Sequence, residues 1–176
     1  MEKSIFEENI VKFQSEYKRL STVFNRISVG RIAAFIISFI GIVYFGNARD
    51  GVAVFIISLL FLLSFIALVL WHNKIKYKRR HAHFLRQINE EEVKRIQGDL
   101  TSFDQGNEFV SMHHPYSNDL DVFGSNSLFQ LLNRTTTITS RNKLANWLLN
   151  PASNQGISLR QEAILELKND NEFCQN

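Results

Sequence analysis

The sequence predicts a mainly α-helical chain: a two-helix transmembrane hairpin extended by cytoplasmic helices, then a small, mostly helical module with one short strand. Three observations lead there. Two apolar blocks, Ile32–Phe45 and Val52–Trp71, are separated only by Gly46-Asn47-Ala48-Arg49-Asp50-Gly51. A regular apolar seam precedes them, and short segments with helix-capping punctuation follow them. The chain has 176 residues, 45% hydrophobic and 21% charged, an ordinary average that conceals how unevenly the apolar residues are distributed.

Residues 1–30 are expected to form a cytoplasmic amphipathic helix. Phe6, Ile10, Phe13, Tyr17, Leu20, Phe24 and Ile27 recur at alternating spacings of 4 and 3, a two-position heptad seam of coiled-coil type with Glu and Lys on the other faces. Such a helix either pairs with a partner helix or lies flat on a membrane surface. Its charged residues, with no apolar run leading to a small-residue cleavage site, do not fit a signal peptide.

Residues 31–71 are the hairpin. Val52–Trp71 holds 20 positions without a charge, interrupted only by Ser58 and Ser64. As a helix it is about 30 Å long, the thickness of a bilayer's hydrocarbon core. Ile27–Gly46 gives another 20 positions if Arg31 lies near the interface and extends its charge to the headgroups. The alternative is a pair of buried core helices in a soluble protein.

Residues 72–98 form a basic juxtamembrane helix, with Lys74, Lys76, Lys78, Arg79, Arg80 and Arg86 and no acid before Glu90. Lys18, Arg19, Arg26 and Arg31 flank the other span, whereas the connecting loop has one Arg and one Asp. The positive-inside rule then predicts a multi-pass protein of the inner (cytoplasmic) membrane with both termini cytoplasmic. Lys74, Lys76, Lys78, Arg79 and Arg80 are the expected membrane-surface residues, meeting anionic lipid. Ile75, Ala82, Leu85, Ile88, Val93, Ile96 and Leu100 give a second, looser stripe, so both spanning helices are expected to continue as one antiparallel stalk. Glu90-Glu91-Glu92 reads as a solvated face and Gly98 as a helix stop.

Residues 99–118 have no sustained period and read as a connector. His113 and His114 point apart on an extended chain, and His81 and His83 diverge on a helix, so neither pair suits a metal ion. In residues 119–176, Asp119–Phe123 alternates polar and apolar and suggests a strand ending at Gly124. Ser127–Gln130 has capping-box form, Thr139 or Ser140 can cap the next helix, Pro151 stops that helix near Asn150, and Ser158–Gln161 is a second capping box. Asn133-Arg134-Thr135 fits the glycosylation pattern, which a cytoplasmic module would not use. Cys174, the single cysteine, excludes an intrachain disulfide and reads as a plain residue.

From Gln87 onward there are 7 Lys/Arg against 12 Asp/Glu, which argues against a basic nucleic-acid-binding face. No Ser/His/Asp or Cys/His set has catalytic spacing. Arg134, Arg141 and Arg160 are expected to fix helix ends by pairing with Asp119, Asp121, Glu162 or Glu166, ahead of contacting phosphate.

The run Ser127–Thr135, then Trp147-Leu148-Leu149-Asn150-Pro151, then Ile157-x-x-Arg160-Gln161-Glu162-Ala163-Ile164-x-Glu166-Leu167, resembles the opening of the core (lever) domain of the MutS family of DNA mismatch-repair proteins. Asn133, Arg134, Thr135, Trp147, Pro151, Arg160 and Gln161 carry the resemblance, which spans Asp121–Leu167. His114–Asp121 with a hairpin upstream is similar to the membrane-attached branch of that family. Ser140 stands where the family usually has Gly, and Asn142 where it has Arg.

The resemblance implies a membrane-tethered, mismatch-repair-related protein. It supplies the anchor and the first part of a lever that couples ATP state to DNA clamping. The hairpin occupies the place of the family's mismatch-reading front end. Family members are ATPases, yet these residues contain no Gly-Lys pair of a phosphate-binding loop. ATP, Mg and mismatched DNA are therefore expected only through parts beyond Asn176, with no cofactor or catalysis here. The expected partners are the lipid bilayer, DNA indirectly, and a second copy of the chain as a homodimer. The competing expectation is a stand-alone membrane scaffold or dimerisation protein, or a truncated product.

Overall fold

The computed structural model describes residues 2–168 and is mainly α-helical. Its helices are α1 (Glu2–Asn47), α2 (Gly51–Ile96), α3 (Leu128–Leu132), α4 (Ile138–Leu149) and α5 (Asn154–Leu167), with a 3-10 turn at Asn107–Phe109. The chain divides between Glu90 and Glu91 into two compact units.

The first unit is a helical hairpin. Each arm runs through its polar stalk and its apolar block as one unbroken helix, α1 from stalk to block and α2 from block to stalk, with no proline in either. At the tip, Arg49 takes the left-handed conformation (φ 57°). Its amide donates to the Gly46 carbonyl, and that of Asp50 to Phe45, closing α1 as a glycine usually would. Asp50 then caps α2, its carboxylate accepting from the Ala53 amide at 3.0 Å.

The arms pair antiparallel in a single register. Contacts step from Asn9–Asn89 (3.2 Å) through Tyr17–His83 (ring centroids 5.7 Å) and Phe24–His72 (4.1 Å) to Phe35–Phe61 (6.2 Å). Near the tip a Cβ on Gly41 would lie 3.3 Å from Ile57 Cδ1, so the absent side chain allows close approach. The α1 seam faces α2: Leu20 and Ile27 are buried, and the other five seam residues are half-buried. On α2 the stripe shifts from its expected line. Ala82 and Leu85 are buried, but Ile88 is exposed and Asn89 takes the seam position at 0% exposure. Asn89 resides there because both its polar ends are used, the amide donating to the Leu85 carbonyl and the oxygen accepting from Asn9.

The second unit packs around Phe129, which is 0% exposed and lies 5.8 Å from Phe109 and 5.4 Å from Phe123. Gly106 makes that packing fit. It adopts φ +64°, and an added Cβ would come within 2.9 Å of both the Phe123 and Phe129 rings. Segment 99–118 is thus part of this core: it brings Leu100 and Ser117, both buried, alongside Phe109. Buried Gln130 fixes it, its amide donating to the carbonyls of Leu100 (3.0 Å) and Phe103 (2.8 Å).

Three local expectations are corrected. Asp119–Phe123 is not a strand, and none occurs among the described residues. Its amides bond backward instead, Leu120 to Tyr116, Asp121 to Asn118 and Val122 to Ser117; Asp121 is left-handed, and Leu120 is exposed where an alternating strand would bury it. Helix α4 is capped by Thr137 rather than Thr139 or Ser140, and α5 starts at Asn154 under Ser153, one turn before Ser158. In each case the earlier hydroxyl residue is itself extended (Thr137 φ −118°, ψ 151°; Ser153 φ −65°, ψ 155°), which is the backbone geometry an N-cap needs. Ser127 caps α3 as expected, accepting from the Gln130 amide. Cys174 lies outside the described residues.

Candidate membrane anchor and basic collar

The apolar half of the hairpin has almost nowhere to bury its side chains. In the most apolar 18-residue window of α1 only 6% of residues are buried, and in that of α2 none. Ile37, Phe39 and Ile40 on α1, and Val52, Phe55 and Leu60 on α2, are each at least 60% exposed. Among the described residues these windows are therefore not covered as the helices of a buried core pair would be. Both helices are long and apolar enough to cross a membrane.

Beyond the apolar windows the first unit carries a collar of cations. Between Glu16 and Asp50 on α1, and from Gly51 to Asn89 on α2, the sequence has no acidic residue. Since Phe24 touches His72, the α1 cations Lys18, Arg19 and Arg26 lie at the level of the α2 cations that follow Trp71. Lys74, Lys76, Lys78 and Arg80 are exposed. Arg79 is half-buried, its guanidinium 4.1 Å from the Phe24 ring, and Arg80 sits 5.3 Å from Phe84. These aromatic faces hold guanidinium groups without neutralising them. With no counter-charge of its own, the collar presents a strong positive potential beside the apolar surface.

The motif residues of the second unit fall into two structural clusters. Arg134 grips Glu92 with two hydrogen bonds (2.8 and 2.6 Å) and also donates to the Leu131 and Leu132 carbonyls at the end of α3. The Asn133 side-chain oxygen accepts from the Thr135 amide and hydroxyl, forming the turn out of α3. Trp147 and Arg160 meet across α4 and α5, guanidinium to ring at 4.1 Å. Pro151 follows the Asn150 C-cap, where α4 ends, and Gln161 is exposed. All three arginines make structural contacts, but their partners are not those expected: Arg134 takes Glu92, Arg160 takes Trp147, and Arg141 takes Asp104 and Glu108.

Arg141 lies 4.9 Å from the Phe109 ring and bonds both Asp104 oxygens, at 2.5 and 2.8 Å. Those bonds hold the Asp104 carboxyl below the usual carboxylate range and raise the Arg141 guanidinium above its own. Asp99 is also lowered, by hydrogen bonds from Thr101.

Sequence reasoning missed Arg95. It is 7% exposed, stacks 4.0 Å from Phe103, donates to Glu92 at 2.8 Å and reaches the Asn133 carbonyl at 3.0 Å. Burial lowers its pKa against the raising effect of Glu92. Glu92 therefore is not part of a solvated face; it is 14% exposed and holds two arginines. The sequence signals were Glu–Arg pairs at i,i+3 and i,i+4 at the end of a helix, which are common on open surfaces. His114 and Tyr116 were also missed as α4 stops: His114 Nε2 lies 3.0 Å from the Leu149 carbonyl, and the Tyr116 hydroxyl donates to the same oxygen at 2.7 Å. Among the described residues no three His, Cys, Asp or Glu side chains gather as a metal site.

No protein-family model matches the chain, and no curated protein or solved structure is significantly similar to it.

Proposed function

We propose that the chain is a membrane tether of the MutS-like group. Its hairpin crosses the cytoplasmic membrane twice, with both termini inside, and holds the start of a lever-type module at the inner face. The observation that carries the tether is the joint exposure of the two apolar windows beside an acid-free cationic collar. Water would solvate that apolar surface poorly, whereas a bilayer accommodates it together with the charge. Arg31 is the lone charged residue between Arg26 and Arg49, so a passive anchor fits better than a conduction path.

The lever assignment rests on the Asn133-Arg134-Thr135, Trp147–Pro151 and Arg160-Gln161 pattern, which falls in the helical second unit. On this proposal ATP hydrolysis and DNA contact belong to parts outside these residues. Sequencing the locus downstream tests it. A continuous or adjacent reading frame encoding Gly-x-x-x-x-Gly-Lys-Ser/Thr is expected; its absence would leave a membrane scaffold as the function. The acidic excess after Gln87 adds an expectation for this unit itself. Sub-micromolar duplex binding at physiological salt, retained after the collar residues are changed to Gln, would contradict it.

A further inference from the structure

We infer that Arg31 and the cleft beside it form a binding site for one anionic phospholipid on the basic side of the membrane, distinct from the diffuse attraction of the collar. The inference rests on the tether proposal. The cleft, about 390 Å³, is lined by Ser28, Arg31, Ile32 and Phe35 of α1 and Phe65 of α2, within the usual size range of small-ligand clefts (roughly 300–1,000 Å³). One wall is cationic and the rest is largely apolar, the division of chemistry within a phospholipid.

Depth separates Arg31 from the collar. Phe24 lies against His72, whereas Arg31 lies against Phe65, 5.1 Å from its ring. Seven residues of helix separate Phe24 from Arg31, so the guanidinium originates about 10 Å further towards the apolar windows than the Trp71–His72 level. There a cation is costly unless paired. Among the described residues no carboxylate pairs with it, and the sequence offers none between Glu16 and Asp50 on α1 or before Glu90 on α2. The Phe65 ring attracts the guanidinium without neutralising it, and the five N–H donors still call for an anionic acceptor. The Ser28 hydroxyl, which donates to the Phe24 carbonyl at 3.1 Å, is neutral and supplies no counter-charge.

A phosphodiester supplies what is missing: a negative charge, oxygens suited to a guanidinium fork, and acyl chains to cover Ile32, Phe35 and Phe65. The deep position draws the phosphate below its neighbours, so the site is selective for lipids whose headgroup has no cation of its own to hold near the surface. Phosphatidylglycerol meets that requirement and phosphatidylcholine does not.

The full chain is reconstituted into phosphatidylcholine vesicles containing a minority of phosphatidylglycerol, and the immobilised fraction of spin-labelled phosphatidylglycerol or phosphatidylcholine is read by EPR. The wild type should immobilise phosphatidylglycerol preferentially, and part of that preference should survive high salt. Arg31→Gln should reduce the salt-resistant preference about tenfold, and Arg31→Lys less. Lys76→Gln with Arg80→Gln should lower only the salt-sensitive part. Equal preference in wild type and Arg31→Gln, both inserted and equally helical by circular dichroism, would overturn the site and leave the tether standing. A wild type that washes off the vesicles in carbonate would overturn both.

Discussion

Phe129 concentrates the stability of the second unit in one side chain. It is fully buried in a core whose other buried apolar residues are Leu100, Val122 and Ala145 among the described residues. Phe129→Ala should cost ~3–5 kcal/mol, enough to open so small a unit. Hydrogen exchange on the membrane-reconstituted chain should show α3 and α4 losing protection while 10–90 keeps it; unchanged protection of α3 would contradict the packing. Asp104 adds a pH dependence of definite sign. Its folded pKa is depressed, so its pair with Arg141 stabilises fully above the unfolded carboxylate value, near 4. That contribution is lost as pH falls through the lower folded value. The side chain is 41% exposed, so the effect is modest. Acid destabilisation of the second unit should be shallower in Asp104→Asn than in wild type, by exchange protection measured from pH 6 to pH 3; identical slopes would remove the pair from the account.

At the level of elements, the hairpin is held by a seam whose register one polar pair helps to set. Asn89 packs among apolar neighbours and reaches Asn9, a pairing that slippage along the seam would break. In a Cys174→Ser background, Tyr17→Cys with His83→Cys should cross-link through a short bis-maleimide. Tyr17→Cys with Tyr77→Cys, whose native side chain is 73% exposed, should not. No 17–83 adduct would overturn the pairing, and equal yields would overturn the register. The seam on α1 was legible because strict alternation of 3 and 4 over Phe6–Ile27 matches the period of a packed helix and not that of a strand. On α2 it was less so: Asn89 does not score as apolar, and Ile88 beside it drew the stripe one position off line. The short helices were legible as helices but not in their starts, since Thr137, Thr139 and Ser140 all qualify as caps in sequence. Only the extended backbone of Thr137 chose between them. Arg95 was illegible because its burial depends on Phe103 and the Asn133 carbonyl, contacts that arise only when segment 99–118 folds over the end of α2.

For the whole molecule, the fold supplies a long two-helix hairpin and a small helical unit with little apolar burial of its own. Helix α5 has no buried residue, and Ile164 and Leu165 are 64% and 66% exposed. The central claim is that the hairpin crosses the bilayer and returns. Single cysteines at Glu7, Asn47 and Thr139 in the Cys174→Ser chain, probed with a membrane-impermeant maleimide in sealed vesicles of one orientation, test it most directly. The account predicts that positions 7 and 139 label from one side and position 47 only from the other. Labelling of all three from the same side would show that the chain lies on the membrane or dips into it without crossing.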